Sequence, residues 1–366
     1  MDILALIFLG LLTLRLVVTL INYSFKPYLP TVRRIKEGPL ISLLINGDYD
    51  HARMRHVLEV LSRVHYPNME IVVGIYNPFA QSLSDIYQVA VMDKRVRILE
   101  VKSLQKGWRE DNQMSNILGK EAKGNYLLFM DPDVELRGGI LEILVGYMKE
   151  NRLGLMSIFP SYDVHTRAEW LTFPILNQLY LSLYLLRRMR ASVRPKSSLA
   201  CRKFMLFEGE VYRQFQPFEE VRGCKDGAKE IAKYLKSESI PIDWRIGDRR
   251  VRLLGCVGWK RCVADVSQEL MNFFGNYYFL GFIYGIVMCL WWVPFVLAGR
   301  WFLLLITIVE TLVTQAALAS ITRVSVQKNI IYFFPQMIVL LGVLWTSIHH
   351  LWHKRQWRKH YARCRR

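Results

Sequence analysis

Cysteine is scarce in this chain of 366 residues. The six present, Cys201, Cys224, Cys256, Cys262, Cys289 and Cys364, are scattered and form no C-x-x-C pair. That spacing argues against a zinc site or a disulfide framework, and the six read as reduced packing residues. Acidic residues are also short, with 31 Asp and Glu against 49 Lys and Arg for a formal net charge of +18. No positive charge precedes the first apolar run, and Asn22-Tyr23-Ser24-Phe25 after it makes a poor cleavage site. A removed secretory signal needs both features, so the first run reads as an uncleaved anchor over residues 1–24.

A basic balance of this size suits nucleic acid in general, but the cations gather elsewhere. Lys26, Arg33, Arg34 and Lys36 follow the first apolar stretch, and Lys354, Arg355, Arg358, Lys359, Arg363, Arg365 and Arg366 follow the last. Positive charge flanking apolar segments marks cytoplasmic ends and contact with anionic head groups. The expected partner is a membrane bilayer, with no nucleic acid.

Hydrophobic residues make up 52% of the chain and concentrate at its two ends. Residues 3–22 are almost all apolar, and a span needs about 20 residues. Arg15 is the exception; at mid-membrane it is costly and is expected to snorkel or to hold the helix shallow. Further candidate spans are Tyr278–Leu297, Phe302–Ile321 and Ile330–Trp352, within a C-terminal membrane block of residues 278–352 ahead of a basic tail, 353–366. The middle candidate carries Glu310 and Gln315 and is the weakest. Four full spans would put the central domain and the tail on opposite sides, whereas the charge rule puts both inside. The middle candidate or the first segment is therefore expected to be interfacial or re-entrant. Residues 168–190, apolar and then rich in arginine (Arg187, Arg188, Arg190), are expected to form an interfacial helix.

Between the apolar ends the pattern alternates. Short apolar runs at Leu40–Ile45, Met69–Ile75, Val96–Val101 and Tyr126–Met130 predict strands. Helices are predicted over 51–63, 81–91, near 112–122 and after Gly138-Gly139. Strand and helix alternating at roughly 30 residues per unit predict a Rossmann-like α/β domain with a mostly parallel sheet. Such sheets bind ligands beyond the carboxyl ends of their strands.

At one such end the sequence runs Leu127-Leu128-Phe129-Met130-Asp131-Pro132-Asp133-Val134. Two carboxylates one residue apart after a strand are hard oxygen donors suited to Mg2+ or Mn2+. An ion there would bridge a pyrophosphate and stabilise a departing nucleoside diphosphate. The plainer alternative is a turn, which Asp and Pro both favour.

Several further motifs join this one. They are Pro39-Leu40-Ile41-Ser42-Leu43-Leu44-Ile45-Asn46, Tyr66-Pro67-Asn68-Met69-Glu70-Ile71, Gly107-Trp108, Lys123-Gly124-Asn125-Tyr126, Phe204-Met205-Leu206-Phe207 with Val211-Tyr212, and Lys225-Asp226. With them, residues 38–265 resemble a family-2 glycosyltransferase of the GT-A fold. They are similar to membrane-bound bacterial enzymes that glycosylate carotenoids, hopanoids or ceramides. Trp357-Arg358-Lys359-His360-Tyr361 is similar to the Trp-Lys-Gly-Arg-x-Tyr ending of those members.

The resemblance implies an inverting transfer of a sugar from a nucleotide-diphosphate sugar to a lipid acceptor, at the cytosolic face of a bacterial inner membrane. It implies that Asp131 and Asp133 hold a divalent metal and the donor, and that Asp226 is the general base, removing the acceptor's proton as its oxygen attacks the anomeric carbon. The plainer reading of Asp226 is a solvated residue at a helix start.

Departures accompany the resemblance. The acid expected after the second strand is missing from Gly74-Ile75-Tyr76-Asn77. Asn46 or Asn77 would substitute by hydrogen bonding, and Trp108 would line the same donor site. The lysine expected after Gly-Trp is replaced near Asp111, Gly-Gln before Phe204 has become Arg202-Lys203, and Glu before Asp226 has become Lys225. These sign changes leave a second reading open, a non-catalytic scaffold in glycan or lipid assembly. The Gln-x-x-Arg-Trp motif of processive synthases is absent at Gln268-Glu269-Leu270-Met271-Asn272, which argues against a polysaccharide synthase. His349, His350 and His353 read as interfacial residues at a span end rather than a metal site.

Overall fold

In the computed structural model the described residues are 2–25, 28–29, 38–47, 51–76, 84–162, 164–224, 226–256, 258–274 and 278–345. Lys26, Arg33, Arg34, Lys36, Asn77, Lys225, His349, His350, His353 and the basic tail 354–366 lie outside them. The chain divides into two units. One contains Pro27–Asp163 and Leu186–Leu254, and the other Met1–Lys26, Val164–Leu185 and Gly255–Arg366.

The first of these is the α/β unit. Its strands are β1 (Ile41–Asn46), β2 (Met69–Tyr76), β3 (Val96–Val101), β4 (Tyr126–Met130), β5 (Val134–Leu136), β6 (Leu155–Phe159), β7 (Ser161–Tyr162), β8 (Phe204–Glu208), β9 (Ile242–Ile246) and β10 (Val251–Leu253). The main sheet has the order β3-β2-β1-β4-β8-β6-β9. All its pairs are parallel except those of β8, which runs against both β4 and β6. A smaller sheet of order β5-β10-β7 follows the carboxyl end of β4. The sheet is mixed and mostly parallel. Nearly every residue of β1, β4, β6 and β8 is buried, and burial on two faces is what an unbroken apolar strand needs. Helix Glu110–Glu121 packs on β1 and β2, and helix Gly227–Ser237 on β9. An aromatic cluster fills the space beneath the end of β4. Phe129 lies 4.8 Å from Phe218, 5.3 Å from Tyr212 and 5.5 Å from Phe207, between ring centroids.

The entry to β4 is tight. Glu70 accepts from Ser42 Oγ and, at 2.7 Å, from Lys123 N, while Ser42 Oγ accepts from Gly124 N at 2.8 Å. A Cβ on Gly124 would stand 2.7 Å from the Ser42 amide and hydroxyl and from the Tyr126 carbonyl. Only glycine lets the chain pass there.

The second unit is helical. Helices Asp2–Phe25 and Trp301–Thr322 are long and apolar enough to cross a membrane, and two shorter apolar helices, Phe279–Leu290 and Phe333–Trp345, accompany them. Three expectations change here. Tyr278–Leu297 is not one helix: it breaks at Trp291-Trp292 and resumes as Val293–Leu297, with Pro294 setting the new first turn. Ile330 ends inside a short helix, Val326–Ile331, so the last candidate is also divided. The middle candidate, weakest in sequence, is an uninterrupted helix. Its Glu310 accepts from Thr13 Oγ1 at 2.7 Å, and its Gln315 Oε1 accepts from Asn329 Nδ2 at 2.9 Å.

The expected interfacial helix at 168–190 takes another form. Helix Arg167–Leu183 is mostly buried and packs on helices Asp2–Phe25 and Trp259–Phe273, while Arg187 and Arg188 fall on a separate short helix, Leu186–Ala191. Arg15 points into the helical unit. It is buried, donating to Ser182 Oγ at 3.0 Å, Gln178 Oε1 at 3.2 Å and Met288 Sδ at 2.9 Å. Pro174 sits inside Arg167–Leu183 and leaves Trp170 O without its intrahelical donor; Gln336 Nε2 takes that place at 2.8 Å. The cysteines also depart from expectation. Cys256 and Cys262 form a disulfide, with their Cα atoms 5.5 Å apart. Cys224 and Cys289 carry free thiols.

Gly124→Ala is expected to destabilise the full chain in detergent by about 2 kcal/mol, because the added methyl meets backbone that cannot yield. Gly10→Ala, where nothing stands within 4 Å, is expected to be neutral or slightly stabilising. Thermal unfolding of both variants beside the parent checks the pair.

Candidate functional site

The strand β4 stops at Met130, and the next residues form a turn tied at both ends. Val134 N donates to Asp131 O at 3.0 Å, and Leu254 N donates to Asp133 O at 2.8 Å. The turn is therefore present, as the plainer reading of the motif held, and it lies at the carboxyl edge of the sheet. Parallel pairing of Ile45 with Met130 brings the end of β1 alongside. Asn46 and Asp131 line one small cleft together with Leu44, Ser115, Phe129 and Arg202.

The antiparallel neighbour supplies the cations. β8 pairs Phe204 with Met130, so the residue before Phe204 falls opposite Asp131, and Asp131 N donates to Lys203 O at 3.1 Å. The Lys203 ammonium stands 3.1 Å from Asp133 Oδ2 and 3.8 Å from Asp131 Oδ2. Arg202 Nη1 lies 3.6 Å from Asp111 Oδ2, and Arg109 Nη2 4.0 Å from the same oxygen. Burial pushes the Asp131 carboxyl above its ordinary range; Lys203 and Arg202 pull it back, while Asp133 and Asp111 push the same way as burial. Lys236 fastens the segment from Met189 to Ser197. Its ammonium, whose pKa burial lowers, donates to the carbonyls of Met189, Ser192 and Ser197 at 2.6, 2.8 and 2.7 Å.

The donor set decides whether a divalent ion fits. Asp131 and Asp133 offer the right oxygens, but Lys203 already bridges them. Among the described residues no group of three His, Cys, Asp or Glu side chains converges to complete a shell. A divalent ion about 4 Å from an ammonium would be repelled by about 8 kcal/mol at an effective dielectric constant of about 20. With Lys203 in place, the carboxylates do not fit a divalent ion.

Asn112 connects this cluster to Asp226. It is fully buried, and its Nδ2 donates to the carbonyls of Val221, Arg222 and Cys224 at 2.9, 3.3 and 3.1 Å, while its Oδ1 accepts from Arg202 Nη1 at 3.3 Å. A Cβ on Gly227 would come within 2.8 Å of that same Oδ1, so the start of helix Gly227–Ser237 lies against Asn112. Asp226 caps this helix, accepting from Lys229 N at 3.3 Å. Burial raises its pKa, more than the Lys229 amide and the nearby ammonium groups lower it. Trp108 is half-buried beside the positive-φ turn at Gly107, and the next residue, Arg109, donates its amide to Arg222 O at 2.8 Å.

The structure thus gathers Asn46, Asp131 and Asp133 at one edge, and Asn112 ties Arg202 to the 221–224 turn that precedes Asp226. Trp108 stands by the 221–224 turn. Arg202 and Lys203 are visible in sequence only as departures from a motif, and Asn112 carries no sequence signal.

No family model matches the chain, and no curated protein sequence does. Among solved structures it is similar to the mannosyltransferase PcManGT from Pyrobaculum calidifontis in complex with GDP-Man and Mn2+, at 14% identity over 94% of this chain and 99% of that one, with a TM-score of 0.55. It also aligns with S. aureus TarS 1-349, at 11% identity over 85% of this chain and 92% of that one, with a TM-score of 0.42. The same piece of TarS in complex with UDP-GlcNAc aligns at 12% identity over 64% and 67%, with a TM-score of 0.40. The first of these likenesses shows the fold, a mixed α/β fold found in a glycosyltransferase.

Asn112→Ala strips the donor from three carbonyls at once. It is expected to cost about 3 kcal/mol, read from chemical denaturation of the full chain. Asn112→Asp, which keeps the shape but lacks the amide protons, is expected to be at least as harmful.

Proposed function

We propose that the chain is a membrane-bound, inverting GT-A glycosyltransferase that moves a sugar from a nucleotide-diphosphate sugar to a lipid acceptor at the cytosolic face of a bacterial inner membrane. The observation that carries this reading is the convergence at one sheet edge. Two carboxylates close the end of β4, and Arg202 beside them is held by Asn112, which also binds the carbonyl of Cys224 and lies against Gly227, the residue after the partly buried carboxylate Asp226. The likeness to a mannosyltransferase supports nucleotide-sugar chemistry, and the two long apolar helices support a bilayer and a lipid acceptor.

Each residue has a stated part. Asn46 and Trp108 contact the donor, as does Asn77, which lies outside the described residues. Asp226 accepts the acceptor's proton while the acceptor oxygen attacks the anomeric carbon, and a carboxylate raised by burial is a stronger base than an exposed one. The α/β unit bears the donor site, and the apolar helices hold the chain in the membrane.

A second reading, a non-catalytic scaffold, is favoured by the ion-paired state of the Asp131–Asp133 edge. It predicts that no nucleoside diphosphate binds.

Membranes containing the protein are expected to transfer radiolabelled sugar from a nucleotide sugar to extractable lipid. Asp226→Asn is expected to lower that rate by roughly 10²–10⁴; full activity in the variant would remove Asp226 from the base role. Because Asp226 works only when ionised, and burial holds its pKa up, the rate should fall on acidification at a pH above the ordinary aspartate value of about 3.9. A pH–rate profile reads the midpoint directly.

A further inference from the structure

The carboxylate pair at the end of β4 is the natural seat for a divalent ion, yet an ammonium is built into it. Lys203 is not placed there by a wandering loop. The register of β4 against β8 sets it opposite Asp131, its own carbonyl accepts from Asp131 N at 3.1 Å, and its side chain is only 15% exposed while bridging both aspartates. Arg202, one residue earlier, lines the same cleft as Asp131 and Asn46 and is held by Asn112 Oδ1 at 3.3 Å and Asp111 Oδ2 at 3.6 Å. One lysine and one arginine together carry the charge of a single divalent ion. A guanidinium presents paired N–H donors matched to phosphate oxygens, and an ammonium is a compact point charge that suits them too.

We infer that Lys203 and Arg202 bind the diphosphate of the donor directly, and that donor binding and transfer need no divalent metal. The inference rests on the nucleotide-sugar reading and specifies how that site holds its ligand. Asp131 and Asp133 then act as positioning residues that hold the Lys203 ammonium at the sheet edge. In the transfer step the acceptor's oxygen forms a bond to the anomeric carbon and its proton passes to Asp226. The bond from that carbon to the diphosphate oxygen breaks, with the electron pair leaving on the diphosphate. Lys203 and Arg202 meet the charge that develops there.

The test uses the full-length protein in detergent, stripped with EDTA, and titrates GDP and UDP by calorimetry with and without Mn2+. Binding of at least one nucleotide is expected in EDTA, within about twofold of its affinity in Mn2+. Lys203→Gln should weaken the metal-free binding tenfold or more, and added Mn2+ should restore part of it. Electron paramagnetic resonance of Mn2+ gives a readout independent of nucleotide. The parent protein should leave the free-ion signal unchanged, whereas Lys203→Gln, with the pair unbridged, should reduce it. Nucleotide binding that appears only with Mn2+, or Mn2+ uptake by the parent that Asp133→Asn abolishes, would overturn the inference. Absence of nucleotide binding in every condition, with no Mn2+ uptake by the parent, would instead remove the donor reading beneath it. If Lys203→Gln does not fold, the comparison of EDTA and Mn2+ in the parent decides alone.

Discussion

The pairing of one reversed strand with β4 sets the chemistry of the site. In an all-parallel sheet the carboxyl edge of β4 would meet only other carboxyl ends. Because β8 runs the other way, its amino-terminal lead-in lies at that edge, and Phe204 opposite Met130 fixes which residue faces Asp131. A slip of one residue would exchange every side chain between faces, taking Lys203 from the aspartates and Phe207 from its place against Phe129. The packing of Phe207 on Phe129 and the ion pair at the start of β8 therefore favour the same register.

Both units meet the cost of burying charge by different means. In the α/β unit, carboxylates and cations alternate from Asp133 through Lys203 and Asp131 to Arg202 and Asp111, so each of these five charges has an opposite neighbour. In the helical unit Arg15 is surrounded by neutral groups, Ser182, Gln178 and Met288. Lys236, in the α/β unit, takes this second course as well, with three backbone carbonyls. Dipoles arranged around a cation offset part of its desolvation without a counter-ion. The first arrangement leaves a polar edge open to exchange with an incoming anion, and the second makes a fixed joint.

What was legible in sequence follows from this. Strands β1 to β4 and the aspartates after Met130 stand out because buried parallel strands are unbroken apolar runs and the polar rim begins where they stop. The reversed direction of β8 leaves no mark, since an apolar run reads alike in either sense, and so the meeting of Lys203 with Asp131 was hidden. Asn112 was invisible for another reason: one amide serving three carbonyls is a property of tertiary placement. Hydropathy also misjudged the helical unit. It rated Phe302–Ile321 low for Glu310 and Gln315, whose partners Thr13 and Asn329 are far or indirect in sequence, and it rated Tyr278–Leu297 high although the chain turns at Trp291-Trp292. The disulfide escaped because a separation of six residues carries no pairing signature of its own.

The proline in helix Arg167–Leu183 has a consequence for how this sequence tolerates change. Replacing an interior proline with a good helix former ordinarily strengthens a helix by restoring a rung of its ladder. Here the carbonyl released at Trp170 is the acceptor for Gln336, a residue that also accepts from Gln178. A restored rung would compete with Gln336 for that oxygen, and a change that improves one helix by local rules would weaken its hold on another. Sequence drift toward helix propensity is opposed at position 174, because the defect in one element is the fastening between two.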